Sequence, residues 1–108
     1  MAREKFQTLT EPMFYILLCL REECCGADIM ARVAALTQGR VSIGPGTLYN
    51  LLDSFQSSEM IRETNVSGRK RSYLITDKGR AALEAEYRRL QVLTEDYRTY
   101  LGERRLLP

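Results

Sequence analysis

The side chains that most often perform catalysis or bind metal ions are scarce in this chain. It contains no histidine and three cysteines, Cys19, Cys24 and Cys25, with no Cys-x-x-Cys pair. Zinc sites usually need His or paired Cys ligands, and His is the usual base that activates a Ser or Cys nucleophile. The acidic residues are scattered and do not form a convergent group. These features argue against an enzyme, a metal site or another cofactor.

The adjacent cysteines have two interpretations. A disulfide between Cys24 and Cys25 would close a strained ring, so reduced thiols are expected. A redox-sensing role remains open, because a thiolate is stabilised near a helix N-terminus. Glu22 and Glu23 oppose a thiolate there, and we favour a structural role.

Contact with nucleic acid is the chemistry that two other segments indicate. In the first segment, Gly44 and Gly46 permit close approach of the backbone to DNA. Thr47 and Tyr49 can donate hydrogen bonds to phosphate, and Asn50 can bind an adenine edge. The expected contacts of this segment are Ser42, Gly44, Pro45, Gly46, Thr47, Tyr49 and Asn50.

The second segment is the cationic run Arg69, Lys70 and Arg71, which follows Gly68. On a hairpin tip, these side chains would follow the phosphate backbone or enter a minor groove, and would supply affinity more than specificity. By itself such a run is usually a solvated turn whose charge prevents edge aggregation. Pro45-Gly-Thr-Leu is likewise, by itself, an ordinary helix start. The nucleic-acid hypothesis therefore depends on one architecture presenting both segments.

The elements that would position these segments follow from periodicity and from turn residues. Capping and apolar spacing predict a helix over 11–23, a short helix over 27–37 and a third helix from Pro45 or Gly46. Two β-prone segments around the basic loop predict a hairpin, and Thr76 caps a last helix over 77–101. The predicted fold is mainly α with a small β-hairpin: a winged helix-turn-helix plus a long C-terminal helix.

The last helix carries a heptad-like seam at spacings of 4 and 3. A chain of 108 residues has no obvious surface to cover the outer half of this helix, so a second copy is expected to cover it. Tyr87 and Tyr97 could instead line a ligand pocket between the copies, although interface packing is favoured. The expected dimerisation residues are Phe14, Leu17, Leu83, Tyr87, Leu90, Thr94, Tyr97 and Leu101.

Bulk composition is compatible with this architecture and excludes several others. The chain is 44% hydrophobic and 28% charged, as in an average globular protein, and its length suits one domain. The net charge of +2 is too small to indicate nucleic acid by itself. The longest apolar run, 13–20, is too short to span a membrane, and the polar Met1–Lys5 segment does not resemble a secretory signal. A cytoplasmic location is expected.

Two motifs resemble the PadR family of bacterial regulators. They are Pro45-Gly-Thr-Leu-Tyr49, which resembles the start of that family's recognition helix, and Ser72-Tyr-Leu-Ile-Thr-Asp-Lys-Gly-Arg-Ala-Ala-Leu83, which resembles its passage from wing to last helix. Gly68-Arg-Lys-Arg71 resembles the wing loop. The resemblance covers about 9–90 and implies a short-subfamily dimer that represses nearby genes, often relieved by a small hydrophobic ligand.

This chain departs from the family pattern at several positions. Ala27 stands where a tyrosine is usual, and Asn50 replaces a proline. Asp53 and Ser54 replace a basic pair, and an acidic residue there would repel phosphate. Glu59 stands where glycine is common, and Glu is a poor residue for a left-handed helix end. The DNA-binding face is therefore only weakly marked by charge.

Two function classes follow from the sequence. The leading hypothesis is a dimeric repressor in which 1–75 bind double-stranded operator DNA and 76–108 dimerise by packing on the first helix, as one compact unit. The alternative is a winged-helix module that binds a protein partner, which Ala27, Asp53 and the near-neutral charge favour. The operator and any effector cannot be named from the sequence.

Overall fold

The helices begin where the sequence supplies favourable first turns. The computed structural model describes residues 8–106, and the side chains of residues 8–102. Helix α1, Glu11–Cys19, follows Thr10, whose hydroxyl accepts a hydrogen bond from the Met13 N–H at 3.4 Å. Helix α2 spans Gly26–Leu36, α3 spans Pro45–Ser57 and α4 spans Asp77–Leu106. The prediction about Met1–Lys5, and the outermost residues of the predicted regions 1–75 and 76–108, lie outside the described residues.

A three-stranded antiparallel sheet accompanies the helices. Its strands are β1, Cys24–Cys25, β2, Ile61–Ser67, and β3, Lys70–Ile75, in the order β1-β3-β2. Ser67 pairs with Lys70, so Gly68 (φ 61°) and Arg69 form the turn between β2 and β3. This confirms the predicted hairpin with a cationic tip. A bulge at Thr64 interrupts the register between Glu63 and Asn65.

The prediction that the first helix continues to residue 23 is wrong. The helix ends at Cys19, and the Leu20 carbonyl accepts a hydrogen bond from the Ile75 N–H at 2.8 Å. The chain then extends so that Cys24 and Cys25 pair with Tyr73 and Ser72 of β3. The end of α1 is thus set by a strand from the other end of the domain.

One hydrophobic core joins the first three helices to the sheet. The most deeply buried side chains come from α1 and the residue that follows it, and from α2, α3, β2 and β3; they are Ile16, Leu17, Leu20, Ile29, Val33, Leu48, Leu52, Phe55, Ile61 and Ile75. Leu17 has no exposed surface, so it packs inside its own chain. The prediction that it contacts a second copy is therefore wrong. Leu83 is also a core residue, with 7% of its surface exposed. Both residues belong to the same core cluster, and α4 contacts α1.

The start of α4 approaches the end of α3 very closely. The Thr76 hydroxyl accepts a hydrogen bond from the Gly79 N–H at 3.1 Å and donates one to the Glu59 carbonyl at 2.7 Å. A Cβ atom at Gly79 would lie 2.1 Å from the Met60 carbonyl oxygen. Glycine is therefore required at this position by backbone contact.

Helix α3 ends in a Schellman motif that contains a non-glycine residue. The Met60 N–H donates to the Phe55 carbonyl at 2.8 Å, and the Glu59 N–H donates to the Gln56 carbonyl at 3.0 Å. Glu59 has a φ of 63°, in the left-handed region. The helix therefore ends in the common Schellman geometry, although Glu is an unfavourable residue for the left-handed position.

Candidate nucleic-acid interface

The outer face of α3 is exposed along its length, while its inner face is core. Leu48, Leu52 and Phe55 pack inward and orient the helix. All ten residues predicted to contact DNA are exposed to solvent: Ser42, Gly44, Pro45, Gly46, Thr47, Tyr49, Asn50, Arg69, Lys70 and Arg71. The exposed face continues beyond Asn50 with Asp53 and Ser57.

The first turn of α3 offers backbone donors. Its N-cap, Gly44, has no side chain, and Pro45 occupies the first turn without an N–H of its own. The first helical bond runs from the Leu48 N–H to the Gly44 carbonyl at 2.9 Å. The N–H groups of Gly46 and Thr47 therefore have no intrahelical acceptor, an arrangement that suits a phosphate oxygen.

The turn between α2 and α3 is held by a buried hydroxyl. The Thr37 side chain donates a hydrogen bond to the Val33 carbonyl at 2.8 Å and accepts one from the Val41 N–H at 3.0 Å. Arg40 links the same turn to α1, with its Nη2 atom 3.0 Å from the Tyr15 hydroxyl. These contacts fix where α3 begins.

Tyr49 packs over the start of α2, a contact that sequence reasoning missed. A Cβ atom at Gly26 would lie 2.5 Å from the Tyr49 hydroxyl oxygen. Any other residue at this position would therefore displace the Tyr49 ring. The ring remains 46% exposed. Tyr49 is therefore both a helix-to-helix contact and a surface group. The signal that could have found it is a glycine in the first turn of a helix.

The wing presents cations of two kinds. Arg69 and Lys70 are exposed, and neither forms an ion pair within residues 8–102. Arg71 differs, because its Nε atom lies 3.5 Å from a carboxylate oxygen of Glu63 on the neighbouring strand. The first two cations are free to meet phosphate, whereas Arg71 is already engaged.

The Tyr73 hydroxyl marks the place where α3 and the wing converge. Tyr73 is buried on β3, and burial raises its pKa, with a further rise caused by the nearby Glu63 carboxylate. Tyr49 and Asp53 of α3 add to this rise in pKa, while Arg71 lowers it. The tyrosine is thus a core residue, and two carboxylates and one cation lie near it.

The predicted dimerisation residues divide between core and surface. Phe14 is half-buried against the core, and Leu101 is half-buried as well. Tyr87, Leu90, Thr94 and Tyr97 are exposed. Because Gly79, Leu83 and Glu86 are the buried residues of α4, the same side of the helix continues with Leu90, Leu93, Tyr97 and Tyr100. We call these four residues the apolar face of α4; the sequence seam missed Leu93 and Tyr100.

The cysteines are not arranged for catalysis or metal binding. Cys24 and Cys25 are buried in β1, and all three cysteines are free thiols. Burial raises the pKa of Cys24 to about 11, and burial also raises the pKa of Cys19. Both thiols stay protonated at neutral pH, which favours the structural role. Across the described residues, no group of three or more metal-ligating side chains occurs, and no helix could cross a membrane.

Comparison with known proteins identifies relatives of one kind. Residues 16–85 match the transcriptional regulator PadR-like family. A 75-residue segment is 27% identical to the Escherichia coli transcriptional regulator YqjI. That segment is 69% of this chain but only 36% of the E. coli protein, so this chain aligns with about a third of that relative's length.

Solved structures share the fold. A PadR family transcriptional regulator from Eggerthella lenta superposes with a TM-score of 0.68 at 23% identity, over 82% of this chain and 75% of that one. A transcriptional regulator from Clostridium thermocellum gives a TM-score of 0.71 at 18% identity, over 81% and 86% of the two chains. The overall fold is therefore common to this chain and these two regulators.

Proposed function

Since the chain belongs to the transcriptional regulator PadR-like family, we propose that it binds operator DNA in the cytoplasm as a homodimer and represses transcription. It is a regulator and not an enzyme. In this proposal, residues 1–75 contact double-stranded DNA and residues 76–108 form the dimer. Each copy would place one α3 in a major groove, so that the pair meets a pseudo-palindromic site.

One observation carries this proposal: α3 packs against β2 of the wing, while the outer face of α3 and the wing cations Arg69 and Lys70 are exposed. A major groove admits one helix, and a wing beside that helix lies along the flanking backbone or minor groove. The free first-turn N–H groups of α3 would meet phosphate, and Asn50 would face a base edge. Arg69 and Lys70 would supply sequence-independent affinity.

The test is fluorescence anisotropy on DNA from upstream of the protein's own gene, with scrambled DNA of equal length and a salt series. Binding that prefers the upstream DNA and weakens steeply with salt supports an operator-binding regulator. A variant carrying Arg69→Ala and Lys70→Ala should bind both DNAs more weakly. The slope of log affinity against log salt concentration should fall by about the amount expected for two phosphate contacts.

The matched control is Arg88→Ala with Arg98→Ala, which also removes two exposed cations. These arginines lie on α4 in surface pairs with Glu84 and Glu95, away from α3 and the wing. This variant should bind like the wild type. Equal losses in both double variants would show that only net charge matters and would contradict the proposed interface.

Repression itself is tested separately from binding. A reporter gene placed behind the bound upstream DNA should be expressed less when the protein is present. A rise in expression would instead make the protein an activator while leaving the DNA-binding proposal intact.

Relief by a small hydrophobic effector is part of the proposal. The aromatic residues Tyr97 and Tyr100 of the apolar face, with Tyr87 beside it, offer an apolar lining between two copies. Such a ligand shifts operator affinity only if it prefers one spacing of the two DNA-binding heads. An apolar dye that binds the dimer but leaves operator affinity unchanged would contradict effector control through this site.

A second function, binding a protein partner instead of DNA, is favoured by Asp53 and Glu63. These carboxylates place negative charge between α3 and the wing, where phosphate would be repelled. The salt series distinguishes the two functions. Negligible binding to both DNAs at low salt would favour the protein-interaction module.

A further inference from the structure

Asp53 is a carboxylate on the exposed face of α3, one helical turn beyond Tyr49 and Asn50. Residues at spacings of three and four share a face of a helix. Asp53 is exposed, and no cation within residues 8–102 forms an ion pair with it. Its side chain is therefore available on the surface that the proposed function directs into the major groove.

The wing cation Arg71 does not neutralise Asp53. Arg71 lies in the same neighbourhood around Tyr73, but it pairs with Glu63 at 3.5 Å. Of the three charged groups that act on Tyr73, two are the carboxylates Glu63 and Asp53 and one is the cation Arg71. The part of the α3 face around Asp53 would therefore not gain affinity from phosphate.

An ionised carboxylate accepts hydrogen bonds and donates none. Phosphates offer no donor, and in the major groove the exocyclic amino groups of cytosine and adenine are the donors. Adenine places its N7 acceptor beside its amino group, which repels a carboxylate, whereas cytosine presents the N4 amino group without such a neighbour. Cytosine is thus the base that suits Asp53.

We propose that Asp53 is a specificity-determining residue that accepts a hydrogen bond from the N4 amino group of a cytosine in each half-site. The inference rests on the proposed function, because it requires α3 to lie in the major groove. Asp53 then helps to discriminate between DNA sequences in two ways. It gains a bond at cytosine, and it is repelled wherever acceptors or phosphates face it.

The experiment is selection of binding sites from a random DNA library, followed by anisotropy on the selected site with each base at every position. Asp53→Ala is compared with the wild type, and Asp96→Asn is the matched control. Asp96 is an exposed carboxylate on α4, far along the chain from the interface. Asp53→Asn is the second variant, because it keeps the side-chain shape and removes the charge.

We expect Asp53→Ala to lose about tenfold of the preference for cytosine at one position of each half-site, an effect typical of one base contact. The same variant should bind unrelated DNA more tightly than the wild type does, since a repelling charge is gone. Asp53→Asn should also bind unrelated DNA more tightly, and Asp96→Asn should change neither quantity.

Unchanged base preferences in Asp53→Ala at every position would overturn the inference while leaving the DNA-binding function intact. A wild-type protein that selects no sequence at all would overturn both. Because Asp53 is exposed, circular dichroism should give both variants the wild-type fold, so a loss of preference can be assigned to the contact.

Discussion

Individual glycines in α4 illustrate how one residue can be fixed by its surroundings. Gly79 lies against the Met60 carbonyl, whereas Gly102 has no heavy atom within 4 Å of the position of a Cβ. We expect Gly79→Ala to lower the free energy of unfolding by about 2 kcal/mol, because the added methyl forces backbone apart. Gly102→Ala should be neutral or raise it by up to about 1 kcal/mol through helix propensity.

Urea denaturation followed by circular dichroism measures both effects. The comparison is sharp because the same substitution, in the same helix, should change stability in opposite directions. If the two variants had equal stabilities, the close approach of α4 to Met60 would be contradicted.

At the same scale, the sequence identified residue types better than residue pairs. The exposed polar face of α3 and the cationic turn were predictable, because helical spacing and a glycine-containing loop are local signals. The Tyr49 to Gly26 contact was not predictable, since it depends on how two helices cross. The left-handed Glu59 shows the opposite case, in which tertiary contacts impose a conformation that local preference disfavours.

At the scale of elements, Glu86 joins α4 to α1. Its carboxylate accepts a hydrogen bond from the Arg89 Nε at 3.1 Å and also from the backbone N–H of Leu9, just before α1. The Arg89 hydrogen bond is the main cause that lowers the pKa of Glu86 below its usual value. Only 4% of Glu86 is exposed.

We expect Glu86→Gln to destabilise the protein at neutral pH by about 1.5 kcal/mol, the lower end of the contribution of one hydrogen bond to a charged group. Because the pKa of Glu86 is lower in the folded than in the unfolded chain, its stabilisation is present above the unfolded pKa and is lost as pH falls through the folded pKa. Thermal unfolding should therefore show a gap between variant and wild type that narrows in acid.

Glu84→Gln is the matched control, because Glu84 forms an exposed surface pair with Arg88 on the same helix. This variant should unfold like the wild type at every pH. A gap for Glu86→Gln that does not change with pH would contradict the role of its charge.

The helices and the hairpin were predictable as elements, and their exceptions have a common cause. Strand β1 has two residues and no periodic signal, and α1 ends early because β3 pairs with that strand. The heptad-like seam predicted for α4 misses part of the apolar face. Only the burial of Leu83 and Glu86 shows which side of the helix faces the core. Each exception depends on a contact between residues far apart in sequence.

At the scale of the whole molecule, the proposed dimer depends on the apolar face of α4. Leu93 on this face and its neighbour Val92 are 51% and 56% exposed, so they differ in direction and not in exposure. We expect Leu93→Glu to weaken self-association by on the order of 100-fold, the equivalent of about 3 kcal/mol for a leucine that would be buried. Val92→Glu should leave it unchanged.

Light scattering after size exclusion gives the mass of each variant over a range of concentrations. The wild type and Val92→Glu should have the mass of two copies, and Leu93→Glu should fall toward one. A wild type that remains a single copy at high concentration would contradict the dimer. A similar loss in both variants would place the contact on a different side of α4.

The overall architecture was the most predictable level. The order of helices, hairpin and long last helix follows from turn residues and apolar spacing, and this order is enough to define a winged helix. The sequence could not identify the residues that α4 would present to a second copy in the proposed dimer, because a helix with polar residues on most of its surface has no sharp pattern.

The bulge at Thr64 has a consequence for solubility. Strand β2 is an outer strand of the sheet, and along residues 8–106 nothing pairs with its free edge. An open strand with an exposed Val66 could recruit further strands and begin a fibril. The bulge breaks the regular spacing of its N–H and C=O groups, and the neighbouring Arg62 and Glu63 add charge. The chain thus discourages open-ended stacking at the sheet, and the proposed closed assembly of two copies uses a helix instead.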